Sequence, residues 1–246
     1  MQQQDYTEKR KEGSFYTPKV WGELAYKYIE YHLQHDKIAD YLFYDCCAGE
    51  GNLLDVLPTS ICKFASTLHT EYVQILKDKG YDAIQYDFLQ DNITELINIV
   101  KQKQIENNRK GIICFTNPPF LLLKKEQYSY IKNKYKSNDA VLLFIYRIIK
   151  EFKVDYLALF SKIPNYATKD YVNLQLRTRN LFFKNFLTRS KGWGLKGDFA
   201  ISFMMYDNKE LLTEQDEIRV TITYDIWQIN AGKPKKVGEK MFFPYK

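Results

Sequence analysis

Asn117-Pro118-Pro119-Phe120 closes an apolar run, GIICFT at residues 111–116, and its residue types suit one kind of chemistry. Two consecutive prolines end a strand or helix and stiffen the loop that follows. The Asn117 side-chain oxygen and the Pro118 carbonyl are two acceptors that can converge on one NH2 group, and Phe120 offers a face to a flat ring. Attack by an aromatic exocyclic amine needs this arrangement. The lone pair of such a nitrogen is delocalised into its ring. Two acceptors on its hydrogens draw it towards tetrahedral geometry and stabilise the positive charge that develops. No strong base is required before attack.

The elements that must hold this loop can be read from periodicity. Thr17-Pro18 reads as a helix start, with Thr as N-cap and Pro at the first helical position. Val20, Leu24, Tyr28 and Trp21, Ala25, Ile29 then repeat at helical spacing. YLFYDCC is a short buried strand entering the turn AGEG. LHTEY ends a second strand, and a helix is expected from Glu71 to Gly80. DAIQYDFL is a third strand and turn, residues 92–106 are helical, and GIICFT is the fourth strand. Residues 139–151 form a strongly apolar helix, and VDYLALFS is a fifth strand. Residues 169–186 are expected to begin as helix, GWGLKG at 192–197 as a loop, and NAGKPKKVGEK as a loop or hairpin. FAISFMMY and IRVTITYDIW read as two late strands in tandem. Alternating strands and helices specify an α/β fold, a mostly parallel sheet with helices on both faces, and the late pair suggests an antiparallel edge strand.

Ligands of such a sheet bind beyond the carboxyl ends of its strands. The first end carries Asp45, Ala48, Gly49 and Gly51. Glycines one residue apart let the backbone turn and approach a ligand. A dinucleotide fingerprint would place a third glycine at position 54, which is Leu54, so a smaller nucleoside is favoured. Glu71 lies about 20 residues beyond, the distance at which an acid reaches ribose hydroxyls. Asp87 and Phe88 end the third strand, a carboxylate and a ring suited to an adenine.

Taken together, Phe15-Tyr16-Thr17-Pro18, then Asp45 with Gly49-Glu50-Gly51, then Asn117-Pro118-Pro119-Phe120 resemble the motifs of the N6-adenine DNA methyltransferases, in the order of the gamma class. The resemblance runs over roughly residues 9–206. It implies a class I S-adenosylmethionine-dependent methyltransferase (Rossmann-like) fold, with S-adenosylmethionine as cofactor and DNA adenine as substrate. It implies that Phe15, Tyr16 and Thr17 touch the methionine part and the adenine of the cofactor, that Asp45, Ala48, Gly49 and Gly51 line its methionine side, and that Glu71 binds its ribose. It further implies that Asp87 and Phe88 hold its adenine, that Asn117, Pro118, Pro119 and Phe120 hold the target amine, and that Phe199 stacks on the flipped base, with Trp193 as a rival. Cys46 stands where the family has proline, and Glu50 where it has a small residue. The same chemistry also serves RNA adenine or a protein glutamine amide, and a partner-dependent or non-catalytic nucleic-acid-binding subunit is a further alternative.

Charge points towards an anionic partner: the net charge is +6. Lysines cluster at 124–136 and 233–240, and between Arg177 and Lys196 basic residues alternate with aromatics, as suits nucleic acid. The four cysteines have no metal-ligand or disulfide spacing, and the polar start MQQQDYTEKRKEG is not a signal peptide. No metal, no membrane partner and a cytoplasmic location are therefore expected. One domain is expected: an N-terminal helical segment over 1–40, a catalytic core over 41–206 and a short C-terminal strand and loop extension over 207–246. So small an extension suggests that a separate specificity subunit selects the DNA sequence.

Overall fold

The computed structural model describes residues 16–90, 92–124, 126, 128–162, 179–181, 184–193, 195, 197–211 and 222–242. Helix α1 (Lys19–Leu33) and the short α2 (His35–Ile38) precede the first strand. Five strands follow: β1 (Tyr41–Asp45), β2 (Cys62–Thr67), β3 (Asp82–Gln85), β4 (Gly111–Thr116) and β5 (Tyr156–Lys162). Between them run α3 (Thr70–Asp78), α4 (Thr94–Glu106), α5 (Ser129–Tyr135) and α6 (Ala140–Tyr146). These strands are mutually parallel in the order β5-β4-β1-β2-β3. β1 and β4 are buried at every position, as a doubly covered strand must be.

The remaining strands extend the same sheet: β6 (Arg179–Leu181), β7 (Lys184–Arg189), β8 (Ala200–Leu211), β9 (Ile222–Asn230) and β10 (Lys233–Phe242). β8 runs antiparallel to β5, and β6 and β7 run antiparallel to β8. β9 then lies parallel to β7 and forms a hairpin with β10. The antiparallel part suggested by the two late strands is larger than one edge strand: β8 pairs with β5, and β9 pairs with β7 and β10. Of the stretch 169–186, expected to begin as helix, the later residues 179–181 and 184–186 are strand. The part over 169–178 lies outside the described residues. β8 crosses residue 206, so it joins the expected core to the C-terminal extension.

Two helix readings shift. α1 starts after Pro18, whose carbonyl accepts from Trp21 and Gly22, so Thr17 is not its cap. The apolar helix over 139–151 is capped by Asp139, which accepts from the Val141 and Leu142 amides, but its second half, Arg147–Phe152, is a π-helix. The fully buried Arg147 explains the wider turn. Its guanidinium donates to the carbonyls of Phe88 and Gln90 and pairs with Glu151 at 2.9 Å. Wide turns of this kind often sit at functional sites. Here one ties the loop after β3 to the helix beneath it.

Candidate active site

A cavity of about 480 Å³ opens beyond the carboxyl ends of β1, β2, β3 and β4. Its floor begins at Asp45, 2% exposed, whose Oδ1 accepts from the Cys47 amide at 3.1 Å and from Thr116 Oγ1 at 2.8 Å. Burial pushes this carboxyl up to about 7, and the two donors offset only part of that rise. Cys46, Cys47 and Cys114 surround it, and burial raises all three thiols, so they behave as inert packing. Ala48 and Gly49 continue the lining.

Gly49 and Gly51 both take positive φ, +51° and +87°. Gly51 faces away from the cavity. A Cβ there would meet Leu76 Cδ2 at 2.7 Å and Tyr81 Cε2 at 3.2 Å, so its glycine is required by packing as well as by φ. Lys79 braces the turn from outside, donating to the Glu50 carbonyl at 2.7 Å and to Asp55 at 2.8 Å. Glu50 also turns out of the cavity and accepts from Tyr16 OH at 2.7 Å.

At the far wall, Asp87 accepts from the Leu89 amide at 2.9 Å and from Tyr128 OH at 3.0 Å. Phe88 lines the cavity with one face already stacked on Phe144, ring centroids 4.9 Å apart. Burial, then the Asp87 charge, pushes the Tyr128 hydroxyl up to about 12, so it stays a donor to that carboxylate.

Asn117 enters the cavity from the end of β4. Its Nδ2 donates to Thr17 Oγ1 at 3.0 Å, which fixes the carboxamide plane. Thr17 therefore serves Asn117 instead of capping α1. Tyr16, Thr17 and Pro119 line the same space, whereas Pro118 is buried beside it. Phe120, 8% exposed, lies off this cavity and shares the Lys162 ammonium with Phe199, at 5.6 and 5.1 Å from the two ring centroids. Phe199 is held in place by Ser190, whose Oγ accepts from its amide at 3.0 Å and donates to the Gly197 carbonyl at 3.0 Å.

Besides Gly51 and Phe120, Glu71 and Trp193 also stand off the cavity. β2 ends at Thr67 and α3 starts at Thr70, so Glu71 falls in the first helical turn, exposed and off the cavity. The residues that line the cavity at the end of β2 are Thr67, Leu68, His69 and Tyr72. Trp193 is in the core, 7% exposed and edge-on to Phe160 at 5.0 Å, so it has no open face for a base. Phe15 lies outside the described residues. Sequence reading missed His69, Tyr86, Leu121 and Tyr128, all of which line the cavity. The apolar triplet Leu121–Leu123 after two prolines was the available signal for a cover on that side.

Among the described residues no His/Cys/Asp/Glu group could hold a metal ion, and no helix is long and apolar enough to cross a membrane. No protein-family model matches the chain, and no curated protein matches it. Solved structures do match. One is a Listeria monocytogenes protein assigned to the class I S-adenosylmethionine-dependent methyltransferases (TM-score 0.55, 12% identity, 78% of this chain and 60% of that one). Others are a Pyrococcus horikoshii protein assigned as an RNA methyltransferase (0.47, 13%, 78% and 91%) and the 23S rRNA methyltransferase ErmE (0.45, 10%, 78% and 68%). The chain has the class I methyltransferase fold, a Rossmann-like α/β sheet. It spans 60% of the length of the Listeria protein.

The group this fold implies is S-adenosylmethionine, and the residues present fit it. Two carboxylates, Asp45 and Asp87, open onto one cavity, with Gly49 leaving a wall without a side chain and Phe88 and Leu121 supplying apolar surface. A cationic amino acid at one end and a purine at the other match that lining.

Proposed function

We propose that the chain transfers a methyl group from S-adenosylmethionine to the exocyclic N6 amine of adenine in DNA. The observation that carries this reading is the placement of Asn117: it is oriented by Thr17 and stands in the cavity that Asp45 floors. When bound, the cofactor supplies an electrophilic methyl on a sulfonium sulfur. The chain's own groups do the positioning. Asp45 and the Gly49 turn would hold the amino-acid end of the cofactor. Asp87, Phe88 and Tyr128 would hold its adenine. Asn117 Oδ1 and the Pro118 carbonyl would accept the two hydrogens of the target amine, and Phe120 and Phe199 would flank the base. Transfer is then an in-line displacement helped by orientation and by charge stabilisation at nitrogen.

DNA as substrate is supported by the Tyr16-Thr17-Pro18 element beside Asn117 and by charge at the cavity end of the sheet. β9 is parallel to β7, and β7 has the direction of β5, so the hairpin turn at Ala231–Gly232 lies at the carboxyl ends of the parallel strands. Lys233 and Lys235 are exposed there, as is Lys191 after β7. Such charges neutralise phosphates without reading sequence. Selection of a sequence by a separate partner subunit belongs to the same proposal.

The test is incubation with methyl-labelled cofactor and DNA, RNA and protein substrates in parallel. Label on DNA adenine with the wild type, lost with Asn117→Ala, is the expected result. Label confined to RNA or protein would replace the substrate, and no label on any would overturn the reading.

A further inference from the structure

Three neighbouring strands place one residue each at a single point. Phe120 follows β4, Lys162 is the last residue of β5, and Phe199 precedes β8. The order β8-β5-β4 sets Lys162 on the middle strand. Its ammonium lies over both rings, and no carboxylate of the described residues lies within ion-pair distance of it. The other lysines at this end of the sheet are differently placed: Lys191, Lys233 and Lys235 are exposed, while Lys162 is half-buried against aromatic faces. A cation over a ring face and a flat base on that face compete for the same electron-rich surface.

We infer that Lys162 positions the substrate: in the free protein its ammonium holds the Phe120 and Phe199 faces, and when a base enters, it yields them and pairs with a phosphate of the same nucleotide. This rests on the nucleic-acid reading of the site. The stem of a lysine is long and flexible enough to move its head while the strand stays fixed. A half-buried cation over the two rings gives the phosphate a partner that the surface lysines do not offer.

The inference assigns opposite signs to two probes. With sinefungin as a non-reactive cofactor analogue, 2-aminopurine riboside carries a base and no phosphate. A single-stranded oligonucleotide with one 2-aminopurine carries both. Lys162→Gln should bind the riboside several-fold more tightly, because the competing cation is gone. It should bind the oligonucleotide several-fold more weakly, with a dependence of log affinity on log salt that is shallower by about 0.7. Lys162→Arg, which keeps the charge, should stay near wild type on the oligonucleotide. If the wild type binds and Lys162→Gln shifts both probes in one direction, or neither, the role of Lys162 is overturned alone. If the wild type binds no nucleic acid, the proposed substrate falls and this inference falls with it.

Discussion

The two halves of the sheet are built by different rules. From β1 to β5 the strands are parallel and short, and the turns at the carboxyl ends of β1 to β4 deliver cavity residues: Asp45 to Gly49, Thr67 to His69, Asp87 to Leu89, and Asn117. From β6 to β10 the strands pair mostly antiparallel, and they bring Phe199, Lys191 and the basic hairpin turn to the same end. The parallel half forms one walled cavity from local strand-and-turn units. The other half adds separate aromatic and basic groups beside it. The cavity thus depends on turns, and the aromatic and basic groups beside it depend on long-range pairing.

The largest expected effect separates chemistry from binding within the parallel half. Asn117→Ala should lower the methyl-transfer rate by about 100-fold or more while sinefungin affinity, measured by calorimetry, changes little. A matched loss of affinity would mean that Asn117 belongs to the cofactor wall.

Next come two glycines at positive φ, one in each half. Gly51→Ala adds steric conflict with Leu76 to backbone strain and should destabilise by about 2–3 kcal/mol in denaturant titration. Gly232→Ala, at φ +76° with nothing within 4 Å of the added carbon, should lose only about 1 kcal/mol. Equal losses would show that packing behind the glycine turn contributes nothing.

Asp45 sharpens the contrast through pH. Its folded carboxyl sits at about 7, against 3.8 for an ordinary aspartate, so the protonated form favours the folded chain. That contribution is complete below about pH 4 and is lost as pH rises through 7. The melting temperature of the wild type should therefore fall relative to Asp45→Asn between about pH 5 and pH 8. A cationic cofactor draws on the ionised form, so its affinity should rise by up to about tenfold per pH unit until about pH 7 and then level off. Asp45→Asn should show a flat profile; a wild-type profile equally flat would remove Asp45 from the cofactor site.

The smallest effect lies in the hairpin half. Tyr28 OH donates to buried Asp225, Trp227 Nε1 donates to Tyr28 at 3.0 Å, and Lys236 pairs with Asp225 at 2.6 Å. Burial, then the bond to Asp225, raises the Tyr28 hydroxyl and keeps it protonated. Lys236→Met should destabilise only slightly, less than either glycine replacement, because the lysine is solvated and Tyr28 still serves the carboxylate. Sinefungin affinity should be unchanged. A fall in that affinity would show that the halves are coupled.

The same division governed what could be read from residues alone. β1 and β4 announced themselves as continuous apolar runs closed by glycine or proline, so the Asp45 turn and Asn117 were legible. Glu71 stands off the cavity because strand β2 ends at Thr67, four residues before it, and Glu71 lies exposed in the first turn of α3. Thr17 looked like a cap because nothing local reveals a partner 100 residues away. The partner of β9 was not legible, since β7 offers no periodic signal that distinguishes it from a helix end. Trp193 sits in a glycine-rich stretch that reads as exposed, and its packing into the core against Phe160 has no local sequence signal.

Both outer strands of the sheet carry features that resist addition of another chain. Among the described residues these are β3, four residues long, and β10, where Pro234 lacks an amide hydrogen and Lys233, Lys235 and Lys240 repeat along an exposed strand. An unpaired strand edge is a template for fibrous association, and short length, proline and lysine each blunt it. The basic hairpin is thereby also a guard against a wide sheet stacking end to end with its own copies.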